Sequence, residues 1–178
     1  RWNSKKVTNI QILKERKRID LIISSPVQRA RETAEIIAEH LDIGHVAFDD
    51  RLREIKLGKN LEGCHCEEYH ELFPTYESKF ENRPNGGESL RDLRQRCWLF
   101  IRELENKYKD RNILLVTHEY PIWMLNHVGR GWSERRAIEE KEKQGGDFIN
   151  FADPERLELK TLPRDDSSLV DLHRPFVD

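Results

Sequence analysis

Three titratable residues, Arg29, Glu54 and His118, stand where the sequence around them could turn them to chemistry. His118 follows the run Ile113-Leu-Leu-Val116 and Thr117, and precedes Glu119-Tyr-Pro121. Four apolar residues without alternation suit a strand buried on both faces of a parallel sheet. Pro121 suits a first helical position, because its missing N–H would be unpaired there anyway. A histidine between a strand's carboxyl end and a helix start lies where open α/β sheets gather their sites, and it titrates near neutrality. The alternative is a histidine that merely closes a strand.

Arg29 falls in the first turn of a helix announced by Ser25-Pro26-Val27-Gln28. That tetrad reads as an N-cap serine, a proline at the first position and a glutamine at the third, which is a capping box. A cation so close to the positive end of the helix dipole is disfavoured unless an anion shares the place. One reading is an exposed arginine paired with Glu32 or with solvent. The other is a phosphate clamp made of the guanidinium and the helix N-terminus together. Glu54 stands between Leu52 and Ile55 in an irregular stretch, 48–63, whose glycines imply a close bend. Packed against a sheet, its carboxyl would keep its proton, as a general acid requires. A surface glutamate between two apolar anchors fits the same spacing.

The elements that must position these side chains can be read around them. Residues 19–23 form a second buried-strand candidate. Val27, Ala30, Ala34, Ile37 or Ala38, and Leu41 recur at three- and four-residue steps, one face of a helix. Residues 65–80 read as helix and then loop, broken at Pro74, and residues 84–89 as a turn cluster ending in a helix cap. The longest helix is expected from Leu90 to about Lys109, with Leu90, Leu93, Cys97, Phe100 or Ile101, Leu104 and Tyr108 on one side and a Ser89/Asp92 cap pair. Whether Glu88 and Ser89 also face a ligand is open at this level. Further helices are expected over Pro121 to about Val128 and over 132–144, and a short amphipathic one over 10–18. Gly145-Gly146 breaks the charged helix, and residues 148–151 and 157–162 read as strands.

Composition excludes several classes. With 178 residues, 37% hydrophobic and 36% charged, the chain fits one domain, or one domain and a tail, with mainly amphipathic helices. No apolar run approaches the ~20 residues that cross a bilayer, and no signal peptide opens the sequence, so a soluble, cytoplasmic chain without membrane contact is expected. A net charge of −2 gives no global pull toward nucleic acid, and the basic run 14–18 reads as a solvated helix face. Three cysteines argue against a disulfide framework and for a reducing compartment. Cys64-His65-Cys66, with His70 nearby, has C-x-C rather than C-x2-C spacing and no second ligand pair, so a polar loop and a buried thiol are expected rather than zinc. No metal and no cofactor are implied.

Four stretches, in order, resemble the histidine phosphatase superfamily, which includes the cofactor-dependent phosphoglycerate mutases. They are Ser24-Ser-Pro-Val-Gln-Arg-Ala-Arg-Glu-Thr-Ala34, Leu52-Arg-Glu-Ile-Lys-Leu-Gly58 with Glu62-Gly63, Gly87-Glu-Ser89, and Val116-Thr-His118. The resemblance implies a three-layer α/β/α fold with a mostly parallel central sheet over residues 1–162, and phosphomonoester chemistry through a phosphohistidine. It makes Arg29 a phosphate-binding arginine, Glu54 the proton donor and His118 the second active-site histidine. Trp2-Asn3 resembles the pair that follows the family's Arg-His-Gly, so Asn3 would be a phosphate ligand. Glu119 joins the phosphate-binding set by position. It stands where many relatives have glycine, and a carboxylate there would weaken phosphate binding or select a different substrate. Arg-His-Gly itself, with its nucleophilic histidine, is absent from the 178 residues. Residues preceding Arg1, and some after Asn9, are therefore expected to belong to the protein and to add a strand beside residues 113–116. The expected partners are a small phosphorylated substrate or phosphate, and the rest of a larger polypeptide. The tail Val170-Asp-Leu-His-Arg-Pro-Phe-Val-Asp178 resembles isoleucyl-tRNA synthetases, which would make 163–178 a linker from an inserted domain, either a phosphatase or an inactive anion-binding module.

Overall fold

A computed structural model describes residues 18–59, 61, 66–143, 145, 154–157 and 159. The expected helix at 10–18, Asn3, Glu62-Gly63, Cys64-His65, the strand at 148–151 and the synthetase-like tail lie outside them, apart from Arg18. Of residues 157–162 only Leu157 and Leu159 are described; they have no regular secondary structure and pack on the larger core.

The described strands form one parallel sheet. Strand β1 (Leu21–Ser24) lies in the middle, flanked by β2 (Val46–Phe48) and β3 (Ile113–Val116). Alternation decides which helices each strand residue meets. Ile22, Val46, Leu114 and Val116 face helix α1 (Gln28–Leu41) through Ala34, Ile37 and Ala38. Leu21, Ile23, Ala47, Ile113 and Leu115 face the opposite layer. There α4 (Leu90–Lys107) packs on α5 (Glu119–Arg130), with α2 (Cys66–Leu72), α3 (Tyr76–Glu81) and α6 (Glu134–Lys143) around them. The result is the expected three-layer α/β/α arrangement. No helix among the described residues is long and apolar enough to cross a membrane.

Several local expectations change. β1, not β3, is the more deeply buried strand: Ile22 is 0% and Ile23 5% exposed, whereas all four β3 residues are half-buried. Among the described residues β3 pairs on one side only, which explains the difference. β2 went unread because three residues give too little alternation to register. Pro74 separates α2 from α3 instead of ending the helical region, and Thr75 caps α3 in a box with Ser78. The Ser89/Asp92 capping box forms as expected. The Ser25/Gln28 box does not: α1 starts at Gln28 after Val27, and Gln28 Nε2 donates to Glu32 instead. Likewise α5 starts at Glu119, two residues before Pro121, whose absent N–H is still among the unpaired first four.

Candidate functional site

The parallel register brings three chain segments to one edge of the sheet. Ser24 lies level with both Phe48 and Val116, so residues 25, 49 and 117 leave their strands side by side. Backbone bonds close this edge: Ser25 N–H donates to Val116 C=O at 2.9 Å, and Asp49 N–H to Ser24 C=O at 3.0 Å. Thr117 Oγ1 donates to Leu52 C=O at 2.6 Å, which ties the segment carrying Glu54 to the end of β3.

His118 is buried at the N-cap of α5, and its Nε2 lies 2.9 Å from Ser25 Oγ, which is itself wholly buried. The same hydroxyl accepts from Val27 N–H at 3.3 Å. Ser25 thus serves the histidine and the turn into α1 rather than capping the helix. Burial, followed by the charges of Arg29, Arg96 and Arg53, depresses the His118 pKa to about 4. The imidazole is therefore neutral at pH 7, because desolvation and three guanidinium groups disfavour its charge.

Glu54 is half-buried at the same edge. Burial raises its pKa most, and the Glu119 carboxylate adds to the rise; the Ile55 N–H, Arg29 and the Tyr120 N–H oppose it. The Ile55 N–H reaches Glu54 Oε1 at 2.9 Å. Arg29 sits at the second position of α1 with an exposed side chain that makes no ion pair among the described residues. Glu32, the alternative partner, is taken by Gln28. The guanidinium acts electrostatically on both Glu54 and His118, so it lies within electrostatic range of each at this end of the sheet. Glu119, in the first turn of α5, is over half exposed, and its Oε1 accepts from Lys141 Nζ at 2.9 Å.

Two residues that the sequence left undecided or unread hold the Glu54 segment. Arg96, on α4, donates to the carbonyls of Arg51 and Glu54 and pairs with both oxygens of Glu88 at 2.9 Å. Glu88 also accepts from Lys56 N–H at 3.0 Å. The loop bends close to the 84–88 turn: Lys59 N–H donates to Asn85 C=O, and Glu88 N–H to Lys56 C=O. A Cβ on Gly58, at φ +90°, would meet Asn85 O at 2.5 Å, and one on Gly87 would meet Lys56 O at 2.6 Å. Nothing local marks Arg96, since its partners lie 8 to 45 residues away.

Among the described residues no three His, Cys, Asp or Glu side chains gather as metal ligands. Arg29, Glu54 and His118 instead combine a free cation, a carboxyl whose pKa burial raises and a neutral imidazole. Such a set can hold an anion and exchange a proton with it.

Comparison with known proteins gives a consistent picture. A family description, "Histidine phosphatase superfamily (branch 1)", matches residues 9–139. The phosphoglycerate mutase-like protein 4 of Arabidopsis thaliana is 36% identical over 112 residues, 60% of this chain and 48% of that protein. The uncharacterised phosphatase PhoE of Bacillus subtilis is 32% identical over 106 residues, 60% of this chain and 51% of its own length. The chain thus spans about half the length of the curated relatives it matches. Among solved structures, mycobacterial glucosyl-3-phosphoglycerate phosphatase superposes with a TM-score of 0.64 and 26% identity, over 76% of this chain and 70% of that one. That phosphatase has also been solved in complex with inorganic phosphate.

Proposed function

Since this chain belongs to the histidine phosphatase superfamily (branch 1), we propose that its site holds the phosphoryl group of a phosphomonoester and protonates the leaving oxygen. The observation that supports this most is the shared locale of Arg29, Glu54 and His118, with Arg29 unpaired among the described residues. Phosphoryl transfer spreads negative charge over three oxygens, so fixed positive charge and positioning supply most of the catalysis. Arg29 and the first N–H groups of α1 hold those oxygens. His118 arrives neutral; an anion beside it raises its pKa and lets it share the charge as a second cation. Glu54, whose hold on a proton burial strengthens, gives that proton to the departing oxygen as the P–O bond breaks.

In the superfamily a neutral histidine attacks phosphorus, forming a phosphohistidine that water then discharges. A second reading is an anion-binding accessory module that holds phosphate without turnover. The likeness of residues 170–178 to isoleucyl-tRNA synthetases extends either reading to a domain, 1–162, joined by 163–178 to a larger polypeptide, on sequence alone. Phosphorus NMR of inorganic phosphate with the chain, and hydrolysis of p-nitrophenyl phosphate by a chain extended upstream of Arg1, separate the cases. Binding with turnover that His118→Ala abolishes supports the phosphatase. Binding without turnover supports the accessory module, and no phosphate binding overturns both.

A further inference from the structure

Lys79 is 2% exposed on α3, yet among the described residues no carboxylate pairs with it. Its Nζ lies 2.7 Å from His70 Nδ1 and over the rings of Tyr69 and Tyr76, 5.5 and 5.0 Å from their centroids. It lines a cavity of about 260 Å³ together with His70, Pro74, Thr75, Tyr76, Glu77 and Glu142. A buried ammonium is normally paired with a carboxylate, so an amine that keeps only an imidazole and two ring faces calls for another use.

We infer that Lys79 is a nucleophilic amine that captures small aldehydes in this cavity as an imine, with His70 moving the protons. The Nζ lone pair forms a bond to the carbonyl carbon, and the C=O π electrons pass to oxygen. His70 Nδ1 takes the proton that nitrogen sheds and passes it to the alkoxide oxygen, giving a neutral carbinolamine. The hydroxyl takes a proton from solvent and leaves as water when the C=N bond forms, and the remaining N–H proton passes through His70 back to solvent. The sum is amine plus aldehyde giving imine plus water.

The surroundings support a free amine. Burial, then the charge of Lys141 on α6, depress the Lys79 pKa to about 8. Desolvation beside a second cation is a known way to activate a lysine. Burial also depresses His70, with the two lysines adding to this and Glu119 opposing it, so an acceptor nitrogen is available. The other titratable groups around the cavity are Tyr69, Tyr76, Glu77 and Glu142; burial raises both phenols and keeps them neutral. The Tyr69 and Tyr76 ring faces favour the ammonium, which opposes the shift.

The test is to treat the full chain with propionaldehyde and cyanoborohydride at pH 7 and map the alkylated lysines by mass spectrometry over time. Exposed lysines near pKa 10.4 hold far less free amine at this pH, so labelling of Lys79 should be at least about tenfold faster. Its rate should level off above pH 8, while the rate of Lys143, whose pKa its Glu140 partner raises, keeps rising. His70→Gln should slow Lys79 alone. Labelling of Lys79 at or below the rate of the exposed lysines, or only in denaturant, overturns the proposal, and so does a rate that keeps rising with theirs above pH 8.

Discussion

His118 Nε2 and Ser25 Oγ, 93 residues apart, lie 2.9 Å from each other at the carboxyl ends of adjacent strands. Neither is accessible enough for water to substitute readily, so the pair fixes the imidazole plane. Ser25→Ala removes the partner of a buried ring nitrogen and should lower stability by about 1–3 kcal/mol. Phosphate affinity should fall as well, because the imidazole loses its fixed orientation. Urea denaturation and phosphate titration measure the two effects; unchanged affinity would mean that the ring does not face the anion.

Arg29→Ala should behave in the opposite way. The side chain is exposed and makes no ion pair among the described residues, so stability should stay within about 0.5 kcal/mol. Phosphate binding should weaken by about 1.5–3 kcal/mol, roughly ten- to a hundredfold, the scale of a lost charge-assisted hydrogen bond. Lysine should restore only part of this, since it cannot reproduce the planar fork. Equal affinity in Arg29→Ala would remove Arg29 from the site.

Glu54 carries a raised pKa, mainly from burial and further from Glu119. A carboxyl whose folded pKa lies above its unfolded one contributes stability at low pH and loses it as pH rises through the folded value. At neutral pH the carboxyl is therefore a cost to the fold. Glu54→Gln should stabilise the protein at pH 7, by about 0.5–2 kcal/mol, with the gain shrinking below pH 4. Denaturant melts at pH 7 and pH 4 decide it. A destabilised Gln variant would mean that the carboxylate is held by bonds stronger than its desolvation.

What could be read from the chain followed the range of each interaction. Ile113–Val116 and the Ser89/Asp92 box were legible because a handful of neighbours decide them. Arg29, Glu54 and His118 could be singled out by position, but their shared locale depends on the register Ser24↔Val116 and on Thr117 reaching Leu52, 65 residues away. Ser25 misled for an instructive reason. Its hydroxyl has the chemistry of a helix cap, and a histidine from another strand claims it instead. The neutral state of His118 was equally hidden, since burial and the fields of Arg29, Arg96 and Arg53 exist only after folding.

The Arg96–Glu88 pair should prove costly to break. Each side chain is under a quarter exposed, and together they bind two carbonyls and one N–H of residues 51–56. Arg96→Met leaves Glu88 partly buried without its cation, and a loss of about 2–4 kcal/mol is expected. Hydrogen exchange should quicken at Ile55 and Lys56 more than in β1. Uniform quickening throughout the fold would assign Arg96 to global stability and not to the placement of Glu54.

Two buried histidines set the acid limit of the fold. Burial depresses His118 and His127 to about 4, reinforced at His118 by Arg29, Arg96 and Arg53 and at His127 by Arg94. The unfolded value is near 6.5, so above that pH neither state binds the protons and stability is complete. As pH falls from about 6.5 toward 4, the unfolded chain takes up protons that the native state refuses, and stability drops by up to about 3 kcal/mol per histidine. Carboxylates held low by their partners, such as Asp92 and Glu134, act only further down, below their unfolded values near 4. Urea midpoints at pH 7.5, 6, 5 and 4.5 should therefore decline steadily across this window. His127→Gln should remove about half of the slope, and saturating phosphate should flatten the share due to His118 by raising its pKa in the folded state. A midpoint that stays level from pH 7.5 to 4.5 would show both rings to be solvated, and with His118 solvated the neutral imidazole of the proposed site would be lost.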